Sequence, residues 1–298
     1  MIYILLISSF VVLILAAAMS VNAASFRPPK KDFPIDGREV AFFNGKRRLC
    51  GYLWNEAGAR GLVVLAHGMG TGVGYHMPEV HHFADKGFRV FAFEYSGYGK
   101  SEGRFYGFPQ AVSDLKCAIE FIDDGSLPVI LLGHSMGGYA VCAVGQCLSR
   151  PVGAIVAYAP FYSSKEAIAE MTRGMPRVGW LLRLLVLPVQ KVFFGRRHKC
   201  NGVDGLRSAD VPALILQGSR DEEVSCTGCS LYAHRAELAN ADVSFRLIEN
   251  DDSNGHMTVI RKRRTRCVNG DTMQIVDSFL DGTEKTLRLK QSATWEKK

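Results

Sequence analysis

Residues 129–140 read VILLGHSMGGYA, an apolar run that ends at one serine set among three glycines. The pattern G-x-S-x-G suits a sharp turn from a buried strand into a helix, which lifts the serine hydroxyl above the edge of a sheet. Small flanking residues let the strand and helix approach closely. The same pattern recurs as GKSEG at 99–103, so the spelling alone does not choose between Ser135 and Ser101. The surroundings do. PVILL precedes Ser135, and YAVCAVGQCL continues helically after GHSMGG. Ser101 follows the turn-rich SGYGK and precedes EGRFYGFP, where no helix begins before about Pro109. Ser135 is the candidate nucleophile and Ser101 a loop residue.

Working outward, short apolar runs recur at 61–68, 88–97, 152–160 and 211–218, each bounded by Gly, Pro or polar residues. Together with 128–135 they suit parallel strands buried on both faces. Helical patterns lie between them. Phe108, Val112, Leu115, Ile119 and Ile122 recur at three- and four-residue spacing, and 136–148 and 225–239 also read as helices. REVAFF and RRLCGYLW, within 38–54, form an expected antiparallel pair. The expected fold is α/β, a mostly parallel sheet flanked by helices in one domain over 27–298. Residues 161–205 are too long for a normal crossover. They contain the apolar VGWLLRLLVLPVQKVFFG (178–195), with Pro188 expected to end or kink a helix. This stretch is expected to be a small helical cap over the carboxyl edge of the sheet; the competing reading is an extra core helix.

A nucleophilic serine needs a base, and the base needs an orienting acid. In a strand-turn-helix arrangement of this kind the order is Ser, then Asp or Glu, then His. Only His256 lies beyond the last expected strand, 243–251. Asp221 follows the strand before it, at the same carboxyl edge where ligands gather in open α/β sheets. Glu222 and Glu223 are alternatives for the acid, with Asp251 and Asp252 behind them. Asp221 would orient His256, and His256 would take the Ser135 proton. A developing oxyanion needs donors. The N–H of Met136, opening the helix, is one; the N–H of Met69, in the glycine-rich HGMGTGVGYH at 67–76, is the other. That loop fails the dinucleotide pattern G-x-G-x-x-G, and GKS lacks the leading glycine of a phosphate loop because position 94 is Glu94.

HGMG, EYSGYGKSEG, GHSMGG, QGSRDEEV and NGHM, in this order, resemble the α/β-hydrolase superfamily, and within it the monoacylglycerol lipases and serine aminopeptidase-like hydrolases. The resemblance runs over about residues 38–282. It implies Ser135, Asp221 and His256 as a triad, Met69 and Met136 as oxyanion donors, and no cofactor. Glu94 and Ser96 depart from the D-x-R-G-x-G pattern common in the group. The expected activity is hydrolysis of carboxylic esters, with acylglycerols and other lipid esters favoured, through an acyl-enzyme. Peptide or thioester cleavage on the same triad is the rival activity, and a membrane-anchored interaction protein on a hydrolase scaffold is the rival of another kind.

The first charge in the chain is Arg27. Residues 1–26 therefore read as a hydrophobic anchor, with Arg27, Lys30 and Lys31 holding the catalytic domain on the cytoplasmic side. Secretion after cleavage at VNAAS is the alternative. Eight cysteines, including the pair in CTGC at 226–229, are expected as unpaired thiols. RKRRTR (261–266) supplies five of the seven net positive charges. It is expected to meet anionic headgroups, not nucleic acid, since no nucleic-acid fold accompanies it. His76, Glu79, His81 and His82 match no metal-ligand spacing and read as a wet surface helix, so no metal is assigned.

Overall fold

The computed structural model describes residues 16–22, 24–26, 28, 33–175, 177–263 and 265–295, with side chains as far as Thr283. Eight strands form one sheet: β1 (Arg38–Asn44), β2 (Arg47–Trp54), β3 (Leu62–Ala66), β4 (Arg89–Phe93), β5 (Val129–His134), β6 (Ala154–Tyr158), β7 (Ala213–Gly218) and β8 (Val243–Ile248). Their order is β1-β2-β4-β3-β5-β6-β7-β8. β1 and β2 are antiparallel, β2 runs antiparallel to β4, and every other neighbour is parallel.

Alternate residues of the central strands feed two separate cores. Leu62, Val64 and Ala66 face one apolar cluster, while Val63 and Leu65 face the other. Both faces are covered, so the strands read as unbroken apolar runs instead of alternating ones. The helices that cover them are α1 (Met77–Asp85), α2 (Phe108–Ile122), α3 (Met136–Ala143), α4 (Ser164–Met171), α5 (Gly179–Phe194), α6 (Gly202–Ala209) and α7 (Gly270–Trp295). β8 lies at the sheet edge and its burial alternates with exposure. It carries the polar Ser244 and Arg246 accordingly.

The chain adds β4 on one side of β3 and β5 on the other, so the strand order reverses there. Such a reversal opens a crevice at the carboxyl ends of the strands. The loop after β3 and the turn after β5 both end in it.

Three local expectations change. The helix at 136–148 tightens into a 3-10 turn from Val144 to Cys147. Within 225–239 only Leu231–Leu238 is helical, and it is a 3-10 helix. The preceding residues pair sideways instead: Phe161 bridges Ser230, and the Tyr162 N–H donates to the Cys229 carbonyl at 2.7 Å. Of the two outcomes expected of Pro188, ending the helix is the one that fails, because α5 continues to Phe194. The carbonyl that loses its donor belongs to Leu184, and both Leu184 and Pro188 are exposed, so water can serve it. Residues 1–15 of the expected anchor lie outside the described residues. Among the described residues no helix is long and apolar enough to cross a membrane. All eight cysteines are free thiols.

Candidate active site

The turn between β5 and α3 has the conformation its glycines foretell. Ser135 sits at φ 54°, ψ −116°, a left-handed backbone that costs a non-glycine residue about 1–3 kcal/mol. Surrounding contacts hold it there. The Ser135 N–H donates to the Tyr158 carbonyl at 2.9 Å, and the Tyr139 N–H donates to the Ser135 carbonyl at 2.8 Å. A side chain at Gly137 would collide with the Ala66 carbonyl of β3, and one at Gly133 with the backbone of Gly137. The glycines thus allow α3 to press onto the sheet, which leaves Ser135 half-buried at the crevice.

Asp221 and His256 come from the two strands at the far side. The turn after β7 carries Asp221, and the loop after β8 returns over it: the Arg220 N–H donates to the Asn254 carbonyl at 2.9 Å. Gly218 lies so close beneath Asn254 that a Cβ there would overlap it. His256 Nδ1 donates to Asp221 Oδ2 at 2.8 Å, with both residues buried. Asp221 Oδ1 accepts the N–H of Glu223 at 3.0 Å and of Val224 at 2.8 Å. Burial works against a charge on His256. The hydrogen bond and charge of Asp221, with Glu223 adding to them, more than offset it, so its pKa is raised above 6.5.

The other acids considered fall elsewhere. Asp251 pairs with Arg220 at 3.0 Å on the surface, and Asp252 is exposed. Glu222 lines the crevice, and Glu223 lies 3.7 Å from the opposite ring nitrogen, His256 Nε2.

Two residues that the sequence left unassigned brace this arrangement. His134, fully inside the sheet edge, donates from Nε2 to the backbone carbonyl of His256 at 3.1 Å. Burial, with repulsion from His256 and His76, holds its pKa well below 6.5, so it stays a neutral donor. Gln217 Nε2 reaches Asp221 Oδ2 at 3.2 Å and the Val224 carbonyl at 2.9 Å. His134 adjoins the serine in the motif, which is a signal of a kind. Gln217 is only the polar end of a strand, and nothing local marks it.

Met69 and Met136 both line the crevice beside Ser135. The Met136 N–H opens α3 and has no acceptor within the helix. The loop bearing Met69 is held by the unusual Glu94, whose Oε1 accepts the Val73 N–H at 2.8 Å while Oε2 lies 3.3 Å from His67 Nε2. Ser96, the other departure, donates from its N–H and hydroxyl to buried Asp114 at 2.9 and 3.1 Å. Ser101 bridges the Cys50 N–H at 2.9 Å and the Glu94 carbonyl at 2.7 Å, as a loop residue does.

The crevice holds about 630 Å³, lined by Phe108, Phe161, Ala167, Met171 and Val224 besides the residues above. α4 and the turn after it supply one wall. α5 is tied to α4 through a buried Ser164–Gln190 hydrogen bond of 2.5 Å.

Away from the crevice one expectation is overturned, and another is corrected at a single residue. His76 and Glu79 are buried, not on a wet surface. Glu79 forms a two-point ion pair with Arg261, whose guanidinium also stacks on Tyr75 and donates to its carbonyl. Arg261 therefore is not a headgroup contact: the first residue of the basic stretch is folded inward.

Residues 57–199 match the family described as serine aminopeptidase, S33. A monoacylglycerol lipase of Mycolicibacterium smegmatis is 30% identical over 40% of this chain and 44% of its own length. A monoglyceride lipase of Mus musculus is 33% identical over 37% of each chain. The chain thus spans about half the length, or less, of the curated relatives it matches. Among solved structures, a Pyrococcus furiosus esterase superposes with a TM-score of 0.65 at 18% identity, covering 86% of this chain and 96% of that one. A bacterial membrane phospholipase A superposes at 0.58 and 15% identity, covering 95% and 96%. The chain thus has the α/β-hydrolase fold, and its matched segment resembles the serine aminopeptidase-like hydrolases and the monoacylglycerol lipases.

Proposed function

We propose that this protein is a serine hydrolase of carboxylic esters, with Ser135, Asp221 and His256 as its triad and Met69 and Met136 as oxyanion donors. The carrying observation is the strained Ser135 on its elbow at a crevice whose lining residue Glu223 lies 3.7 Å from an imidazole that a buried carboxylate orients. His256 Nε2 takes the Ser135 proton as Oγ bonds to the ester carbonyl carbon. The two backbone N–H groups hold the oxyanion. Collapse of the intermediate breaks the bond to the leaving oxygen, which receives the proton from Nε2. Water then repeats the sequence on the acyl-enzyme and releases the acid and Ser135.

Lipid esters are the favoured substrates. Phe108, Phe161, Met69, Met136 and Val224 make the crevice apolar near the serine. On α4, α5 and the turn between them, Met171, Met175, Val178, Trp180, Leu181, Leu184, Val192 and Phe193 are eight of the ten large apolar side chains exposed among the described residues. We assign them to a cap that meets aggregated lipid. L184E/V192E is expected to reduce turnover of bilayer-borne long-chain monoacylglycerol about tenfold or more, while hydrolysis of soluble p-nitrophenyl acetate stays unchanged; equal losses on both would remove the cap from lipid uptake. Cleavage of monoacylglycerol and p-nitrophenyl esters, against inert peptide p-nitroanilides and acyl thioesters, tests the ester reading itself. The anchor of residues 1–26, with the domain on the cytoplasmic side, belongs to this proposal, and an intact mass beginning at Ala24 would refute it.

The pH profile follows from the sign of the His256 shift. The base works only when neutral, and its pKa is raised above 6.5. The acid limb of kcat/KM is therefore expected to have its midpoint above 6.5, with activity lost as pH falls through it. Stopped-assay rates across pH 5 to 9 (about half-unit steps) check this, and a midpoint below 6.5 contradicts it.

A further inference from the structure

Glu223 is a second carboxylate at the base, on the side of the ring opposite Asp221. Its Oε2 lies 3.7 Å from His256 Nε2, and its side chain, 71% exposed, belongs to a residue that lines the crevice. Its backbone is not free to wander, because its N–H donates to Asp221 Oδ1 at 3.0 Å. The separation from Nε2 is too long for a hydrogen bond, so the nitrogen remains open to serine or leaving group.

Nε2 is also the atom that must hand a proton to the departing oxygen. That oxygen has to come within about 3 Å of it. Whatever the leaving oxygen is attached to then lies within a few ångströms of the Glu223 carboxylate. No opposing cation balances this charge in the lining. Arg173 is the one basic side chain among the described residues there, and it is paired with Glu170 at 2.6 Å. The acidic character is local, since the chain as a whole carries +7.

Resting on the serine-hydrolase reading, we infer that Glu223 selects the leaving group by charge: it favours cationic or hydroxyl-bearing alcohols and rejects phosphorylated ones. A hydroxyl-rich alcohol donates hydrogen bonds to the carboxylate, and a cationic alcohol pairs with it. A phosphomonoester or a phosphorylated thiol carrier meets like charge at the point where its proton arrives. This narrows the substrates to esters of neutral polyols, such as glycerol, or of amino alcohols.

The test compares kcat/KM for three esters of one acyl chain, an acylcholine, a 1-monoacylglycerol and a 1-acylglycerol 3-phosphate, below their aggregation thresholds and at low salt. The full chain is used as wild type, E223Q and E223K. The wild type is expected to rank choline and glycerol esters above the phosphate. E223Q is expected to lower the choline-to-phosphate ratio about fivefold, the scale of an exposed charge pair, and E223K to lower it further. Added salt should compress the wild-type ratio toward that of E223Q. Because each ratio is taken within one protein, partial unfolding or a shifted His256 moves all three rates together and leaves it unchanged. A ratio that is the same in all three proteins, while Ser135 still takes a fluorophosphonate, overturns the role of Glu223 and leaves the hydrolase reading intact. A wild type that takes no fluorophosphonate and cleaves none of the esters overturns that reading instead, and this inference with it.

Discussion

Ser135→Ala is expected to abolish fluorophosphonate labelling and to lower ester hydrolysis by about 10⁴–10⁶-fold, whereas Ser101→Ala retains both. The contrast is sharp because the two serines share one local pattern, G-x-S-x-G. Ser135 stands at a crevice on a strained backbone, and its chain neighbour His134 bonds to the carbonyl of His256, whose ring Asp221 orients. Ser101 is buried and spends its hydroxyl on the Cys50 N–H and the Glu94 carbonyl. Its loss costs stability of about 1–3 kcal/mol, through an unsatisfied buried group, and not chemistry. Gel fluorescence with the probe and initial rates on a short p-nitrophenyl ester report both quantities. Labelling that persists in Ser135→Ala would remove the triad from the mechanism.

Arg261→Ala is the second large effect, and it is one of stability. The guanidinium makes hydrogen bonds of 3.1 and 2.7 Å to the two oxygens of Glu79, and the side chains are 7% and 0% exposed. Removing one partner of a buried pair strands the other charge, which typically costs about 3–5 kcal/mol. The double variant Arg261→Met with Glu79→Leu leaves no stranded charge and should recover most of that loss. His76 sits 3.3 Å from Glu79, so the recovered fraction includes its release. Denaturant unfolding of the single and double variants measures this. A single variant as stable as wild type would return Arg261 to the surface, as a basic residue available to headgroups.

The two predictions divide along the line between near and distant contacts. Ser135 was identified from a dozen contiguous residues, because an elbow is a local object: apolar strand, glycines, helix. The strands and the helix at Phe108–Ile122 were legible for the same reason, since burial on one face or two imposes a period within a single element. Ser135, Asp221 and His256 follow β5, β7 and β8, which run parallel in one sheet, and His256 meets Asp221 there.

What only the tertiary structure decided lies in pairs far apart in the chain. His134 bonds a carbonyl 122 residues away, and Arg261 meets a carboxylate 182 residues away. A charge run such as 261–266 reads as solvated until an acid beneath it is known. In the same way, a helix bearing His76 and Glu79 reads as wet until Arg261 arrives from the far end of the chain. Glu223 is likewise an ordinary acid next to Asp221 in sequence, and becomes a neighbour of Nε2 only when the loop after β8 folds back. By itself the sequence determined the sheet and the elbow, since both are dictated by local burial and backbone freedom. The assembly of β5, β6, β7 and β8 side by side, with the loops after β7 and β8 folded together, decided what surrounds them, because long-range closure sets which polar groups share a dry interior.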